Sequence, residues 1–163
     1  MFRAQDGTDR ALVGRAFYLA QDVLQSDPGN YTALEQYSYI LVRDGAALML
    51  MNSLEVLQCN YPLRGGAYHL YGHVMEKEGK YDKAELALNL FKLAEPTIDD
   101  PYYDLACLYA EQDDKDRAFD YLAQAIKHGT SDFSMVWRDP RLANVRHDVR
   151  FTKLVGPAPA PAH

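Results

Sequence analysis

The sequence predicts an all-α fold, a solenoid of stacked antiparallel helical hairpins, and three observations carry that prediction. Pro28, Pro62 and Pro96 stand 34 residues apart, the length of one two-helix unit. Small residues recur at the same step: Ser38, Gly72 and Ala106 in one column, and Ala16, Leu50, Ala84 and Ala118 in another, where Leu50 is the exception. Within a row, apolar residues return at three- and four-residue steps, as in Leu86-Ala87-x-x-Leu90-Phe91-x-x-Ala94, which is helical periodicity. No stretch sustains strand alternation.

Residues 1–30 hold half a unit. Ala11 to Leu24 reads as the second helix of a hairpin, with Thr8 or Asp9 placed to cap its start. A helix without its hairpin partner exposes apolar surface, and such an edge invites a homo-oligomer. Three full rows follow, 31–64, 65–98 and 99–132. Large residues fill matching columns: Leu34, Tyr68 and Tyr102; Tyr37, Tyr71 and Leu105; Leu41, Met75 and Tyr109; Leu54, Leu88 and Leu122. Small slots let paired helices approach, and the large residues fill the space beside them. Gly45, Gly79 and Asp113 share the column that ends each first helix, where a left-handed residue closes the turn. Prolines end each second helix, although row 99–132 has Thr130 in that slot.

Residues 133–155 depart from the repeat and read as a terminal cap, so that 1–155 forms a single domain. Trp137, Leu142, Val145, Phe151 and Leu154 are expected to cover the apolar end, with Arg138, Arg141, Arg146 and Arg150 facing water. Residues 156–163, Gly-Pro-Ala-Pro-Ala-Pro-Ala-His, are expected to be a disordered, polyproline-type stub.

The chain resembles the tetratricopeptide repeat family. Tyr68-x-x-Tyr71-Gly72-x-x-Met75, then Gly79-Lys80-Tyr81-Asp82-Lys83-Ala84 and Pro96, follow its consensus, and Tyr102, Ala106, Tyr109, Ala118, Leu122 and Ala125 repeat the match. The end of the chain, Asp139-Pro140-Arg141-Leu142 and Arg146-His147-Asp148-x-Arg150-Phe151, is similar to the closing segment of bacterial arrays of this family. The resemblance implies a right-handed superhelix of about three and a half repeats plus C-terminal capping helices. It also implies that the first helix of each hairpin lines a concave, peptide-binding groove. Carried over by position, that lining is Thr32, Glu35, Tyr39 and Val42, then Gly66, His69, His73 and Glu76, then Asp100, Tyr103, Cys107 and Ala110. Tyr39 and Tyr103 are the expected anchors, because tyrosine combines contact area with a polar tip.

The family's carboxylate clamp needs cations that this chain lacks. Its corresponding positions hold Glu35, Gln36, His69, Leu70, Asp100 and Asp104, so the expected ligand is an apolar or basic segment of a partner protein. A net charge of −6 argues against nucleic acid and anionic membrane, both of which call for a basic footprint. Cys59 and Cys107 form no disulfide framework, which suits reduced thiols and a cytoplasmic location.

No sequence motif of a nucleophile elbow, phosphate loop or zinc protease occurs. The acids Asp99, Asp100, Glu111, Asp113, Asp114 and Asp116 fall at turns and helix starts, where the helix dipole explains them. The expected function is therefore a non-enzymatic adaptor with no cofactor. Two alternatives stand beside it: a secretion-type chaperone holding an export substrate, and a metal-dependent hydrolase built on His69, His73 and Cys107. The i, i+4 spacing of the two histidines favours the second only weakly, since zinc wants three or four ligands.

Overall fold

The computed structural model describes residues 3–27, 30, 32–33, 36–37, 59 and 64–159. The expectations for Glu35, Tyr39, Pro28 and Pro62, and for most of row 31–64, lie outside these residues.

All regular structure among the described residues is helical. Helix α1 spans Arg3–Ser26 and runs straight through Thr8 and Asp9, so neither caps its start, as the sequence had suggested. Its Tyr18, Leu19 and Val23 are exposed. After it, the Asn30 side chain accepts from the Ala33 amide at 3.0 Å, the geometry that begins a helix.

Helices α2 (Gly65–Lys77) and α3 (Tyr81–Ala94) form one hairpin. Helices α4 (Asp100–Glu111) and α5 (Lys115–His128) form the next. The turn of each hairpin closes in the same way. At the end of α2 the Lys80 amide donates to Met75 O at 2.8 Å, with Gly79 at φ +68. One repeat later the Asp114 amide donates to Tyr109 O at 2.9 Å, with Asp113 at φ +60. Both are six-to-one closures through a left-handed residue. Aspartate accepts that conformation more readily than most side chains, which is why the column tolerates it.

The small slots do what small residues allow. A Cβ placed on Gly72 would lie 2.8 Å from Leu88 Cδ2, so α2 and α3 meet at a distance where any side chain at 72 forces Leu88 to shift. Ala84, Ala106 and Ala118 are buried at the same level, and Leu88, Leu105 and Leu122 fill the volume beside them. Thr130 is also explained. Its hydroxyl donates to Asp99 Oδ2 at 2.6 Å, tying the end of the second hairpin back to its start where a proline was expected.

Helix α6 (Phe133–Arg138), the 3-10 turn Pro140–Leu142 and helix α7 (Val149–Val155) close the array. Aspartates start each piece: Asp132 accepts from the Met135 amide, Asp139 from Arg141 and Asp148 from Arg150. Leu142, Val145 and Phe151 are buried, and Trp137 meets Phe151 edge to face at 4.9 Å. Arg138 stays exposed as expected. Arg141 does not, and its guanidinium turns inward because buried carboxylates await it. Among the described residues, no helix is long and apolar enough to cross a membrane.

Candidate functional site

The site is a polar network between α2, α4 and the 3-10 turn. Helical periodicity places His69, His73 and Glu76 on one face of α2. Opposite them, α4 presents Asp104, a carboxylate buried to 5% exposure in an otherwise apolar stretch. His69 Nε2 lies 2.9 Å from His73 Nε2 and 3.0 Å from Asp104 Oδ2. His73 Nε2 lies 3.5 Å from the same oxygen, and His73 Nδ1 lies 3.2 Å from Glu76 Oε2.

Arg141 supplies the permanent cation of the network. Its Nη1 donates to Asp104 Oδ1 at 3.2 Å and its Nη2 to Asp139 Oδ2 at 2.9 Å. Asp139 Oδ2 also accepts from the Tyr103 hydroxyl at 3.0 Å. Burying four such groups is costly unless each is paired, and here the 3-10 turn pairs them across 36 residues of sequence. One atom is the exception: no well-aligned hydrogen bond reaches the buried Asp104 Oδ2.

The electrostatics follow from this arrangement. Burial opposes protonation of His73, but hydrogen bonds and negative charge from Asp104 and Glu76 outweigh it and raise the pKa from 6.5 to about 9. Burial likewise opposes the charge on Asp104, and the hydrogen bonds and positive charge of His69 and His73 overcome it, holding the carboxyl far below its usual range. Burial pushes the Cys107 thiol well above its ordinary value, so it is neither a nucleophile nor a ready metal ligand.

The sequence-predicted positions divide into two groups. His69, His73 and Glu76 come together, and Asp100 is exposed one turn before Asp104. Tyr103 and Cys107 do not line an open groove, which is a correction. Tyr103 is 7% exposed and Cys107 fully buried, because the cap lies over this part of α4. The Cys107 sulfur faces Asp139 Oδ2 at 3.8 Å, and Asn144 Nδ2 donates to the Ala110 carbonyl at 3.2 Å. The chain's own C-terminal segment therefore occupies the inner face of the last hairpin. The open part is a cleft of about 360 Å³ lined by His73, Glu76, Lys77, Glu111 and Arg141.

The sequence placed Asp104 only at a clamp-equivalent position and Arg141 facing water, and their meeting with Asp139 was not foreseen. One signal was available: Asp104 is a charge set inside Tyr102-Tyr103-Asp104-Leu105-Ala106-Cys107-Leu108, and a charge in such a run is buried only with partners.

No protein-family model matches the chain, and no curated protein matches its sequence. Solved structures do. A crystal structure of MamA is 17% identical with a TM-score of 0.68, over 95% of this chain and 94% of its own. The MamA RS-1 ArsTM double mutant is also 17% identical with a TM-score of 0.63, over 74% of this chain and 68% of that one. The likeness is one of fold, and it places this chain among the all-α helical solenoids of tetratricopeptide type.

Proposed function

We propose that this chain is a non-enzymatic interaction module that binds an apolar or basic segment of a partner protein. The supporting observation is the open part of the inner face, a cleft lined by His73, Glu76, Lys77, Glu111 and Arg141, with Asp100 exposed nearby on the first turn of α4. The exposed carboxylates at its rim, Asp100 and Glu111, disfavour acidic peptides and favour basic ones. A preformed helical array also loses little conformational entropy on binding. The cap shifts the binding region away from Tyr103 and toward the edge formed by α2 and the exposed first turn of α4.

Affinity capture with the wild type and with an Asp100→Lys, Glu111→Lys variant tests the reading. A partner retained by the wild type should be lost from the variant at unchanged helical content. Equal capture by both proteins would remove this face as the binding surface. Self-association through α1 belongs to the same reading, since Tyr18 and Leu19 are each about two-thirds exposed. Sedimentation should show a Tyr18→Glu, Leu19→Glu variant lighter than the wild type, and a wild type that is monomeric at high concentration refutes it.

A further inference from the structure

We infer that His69 Nε2, His73 Nε2 and Asp104 Oδ2 form a binding site for one divalent first-row transition ion of the zinc class. This site shares His73 and Glu76 with the cleft of the peptide-binding reading, but ion binding here does not require a peptide there.

The geometry of the three atoms points to a shared centre. They lie 2.9, 3.0 and 3.5 Å from one another, and together they are the one group of metal-capable side chains among the described residues. Ligand atoms held at roughly 2.0–2.1 Å from a tetrahedral ion sit roughly 3–3.5 Å apart. The spacing is therefore that of a formed coordination triangle, needing little movement to accept an ion.

The outer atoms of two ligands are already held, as a metal site requires. Glu76 Oε2 lies 3.2 Å from His73 Nδ1, so that when an ion displaces the proton of Nε2 the remaining ring proton is held on Nδ1 and Nε2 is the nitrogen turned to the centre. Arg141 Nη1 holds Asp104 Oδ1 at 3.2 Å, leaving Oδ2 turned to the same place. The His69 ring stacks on Phe91 at 4.9 Å, which restrains its swing.

Without an ion the inner arrangement is poorly satisfied. Asp104 Oδ2 is buried and receives no well-aligned hydrogen bond although His69 Nε2 lies 3.0 Å away, and two imidazole nitrogens face each other at a distance where one proton serves both. A divalent cation answers all three atoms together. The charge balance agrees, because the carboxylates Glu76, Asp104, Glu111 and Asp139 outnumber Lys77, Arg141 and a protonated His73. Two nitrogens and one carboxylate oxygen suit zinc, cobalt or nickel better than calcium or magnesium, which prefer all-oxygen shells. Three protein ligands leave one position open. The ion would clamp the first described hairpin to the second, through α2 and α4.

Calorimetric titration of the EDTA-stripped full chain with zinc chloride tests the site, with cobalt(II) as a spectroscopic probe of tetrahedral geometry. The expected result is one ion per chain and a melting temperature that rises with zinc concentration. Glu76→Gln should weaken binding by roughly 10- to 100-fold, as loss of an outer-shell partner does, and His69→Ala and His73→Ala should weaken it further. A His128→Ala, His147→Ala control should bind like the wild type. Asp104→Asn is a further variant, but His69 is one-third exposed, so His69→Ala decides the matter if Asp104→Asn fails to fold. Zinc binding unchanged by His69→Ala, abolished in the control, or absent from the wild type overturns the assignment.

Discussion

Replacing Gly72 tests the packing register on which the whole array depends. A methyl group at 72 would sit 2.8 Å from Leu88 Cδ2 and 3.0 Å from Leu88 Cγ, with the Ala84 carbonyl at a comfortable 3.7 Å. Leu88 is fully buried, so it can give way only by displacing its neighbours in a close-packed core. Two effects oppose each other in Gly72→Ala. Helix propensity favours alanine by about 1 kcal/mol, while overpacking a filled core costs about 1–3 kcal/mol. The net expectation is a loss of about 1 kcal/mol, and Gly72→Leu should lose about 3 kcal/mol because its further carbons enter the same space.

Leu88→Ala alone should cost about 2–5 kcal/mol by opening a cavity. The double variant Gly72→Ala, Leu88→Ala should recover about 1 kcal/mol of the summed loss, since the new methyl enters the vacated space. Gly14 is the control, because among the described residues nothing lies within 4 Å of a Cβ there. Gly14→Ala should therefore stabilise α1 by up to about 1 kcal/mol. Urea unfolding followed by circular dichroism reads all of these. A Gly72→Ala protein as stable as the wild type, with additive losses in the double variant, would mean that α2 and α3 do not meet at this slot.

Three further outcomes are expected. In EDTA, stability should fall as pH rises from about 6.5 to about 9, because His73 is protonated in the folded protein up to about 9 and in the unfolded chain only below 6.5. The groups facing it are His69, Glu76, Asp104 and Arg141, and His73 is about one-quarter exposed, so the loss is about 1–3 kcal/mol. His73→Gln should flatten that limb, and an unchanged slope in the variant refutes the assignment. Arg141→Met should destabilise by about 3 kcal/mol by leaving Asp139 without its cation and Asp104 with the two histidines alone, and a melting temperature equal to the wild type would show the network to be solvated. Asp113→Gly should stabilise by about 0.5–1 kcal/mol, since glycine adopts the positive φ without strain, and a destabilised variant would count against that backbone conformation.

The helical hairpins were legible because their causes are local and repeated. Gly79 and Asp113 end first helices, Ala84 and Ala118 let partner helices approach, and Leu88 and Leu122 fill the space between them. Each of these roles depends on neighbours within one repeat, so the 34-residue spacing carries it. His69, His73 and Glu76 were also legible as one helix face. The groove positions Tyr103 and Cys107 were misplaced because their neighbours come from residues 139–144, which share no periodicity with them.

Periodicity, turn residues and apolar spacing were enough to establish a stacked helical array with a distinct terminal segment, because those properties are set by contacts a few residues apart. Which carboxylate meets the two histidines, which arginine turns inward and how much of the inner face stays open were decided by tertiary packing. Asp104 comes to His69 from the next hairpin, and Arg141 comes to Asp104 from the cap. Buried charges must find partners wherever the folded chain brings them, and no local pattern in the sequence records that meeting.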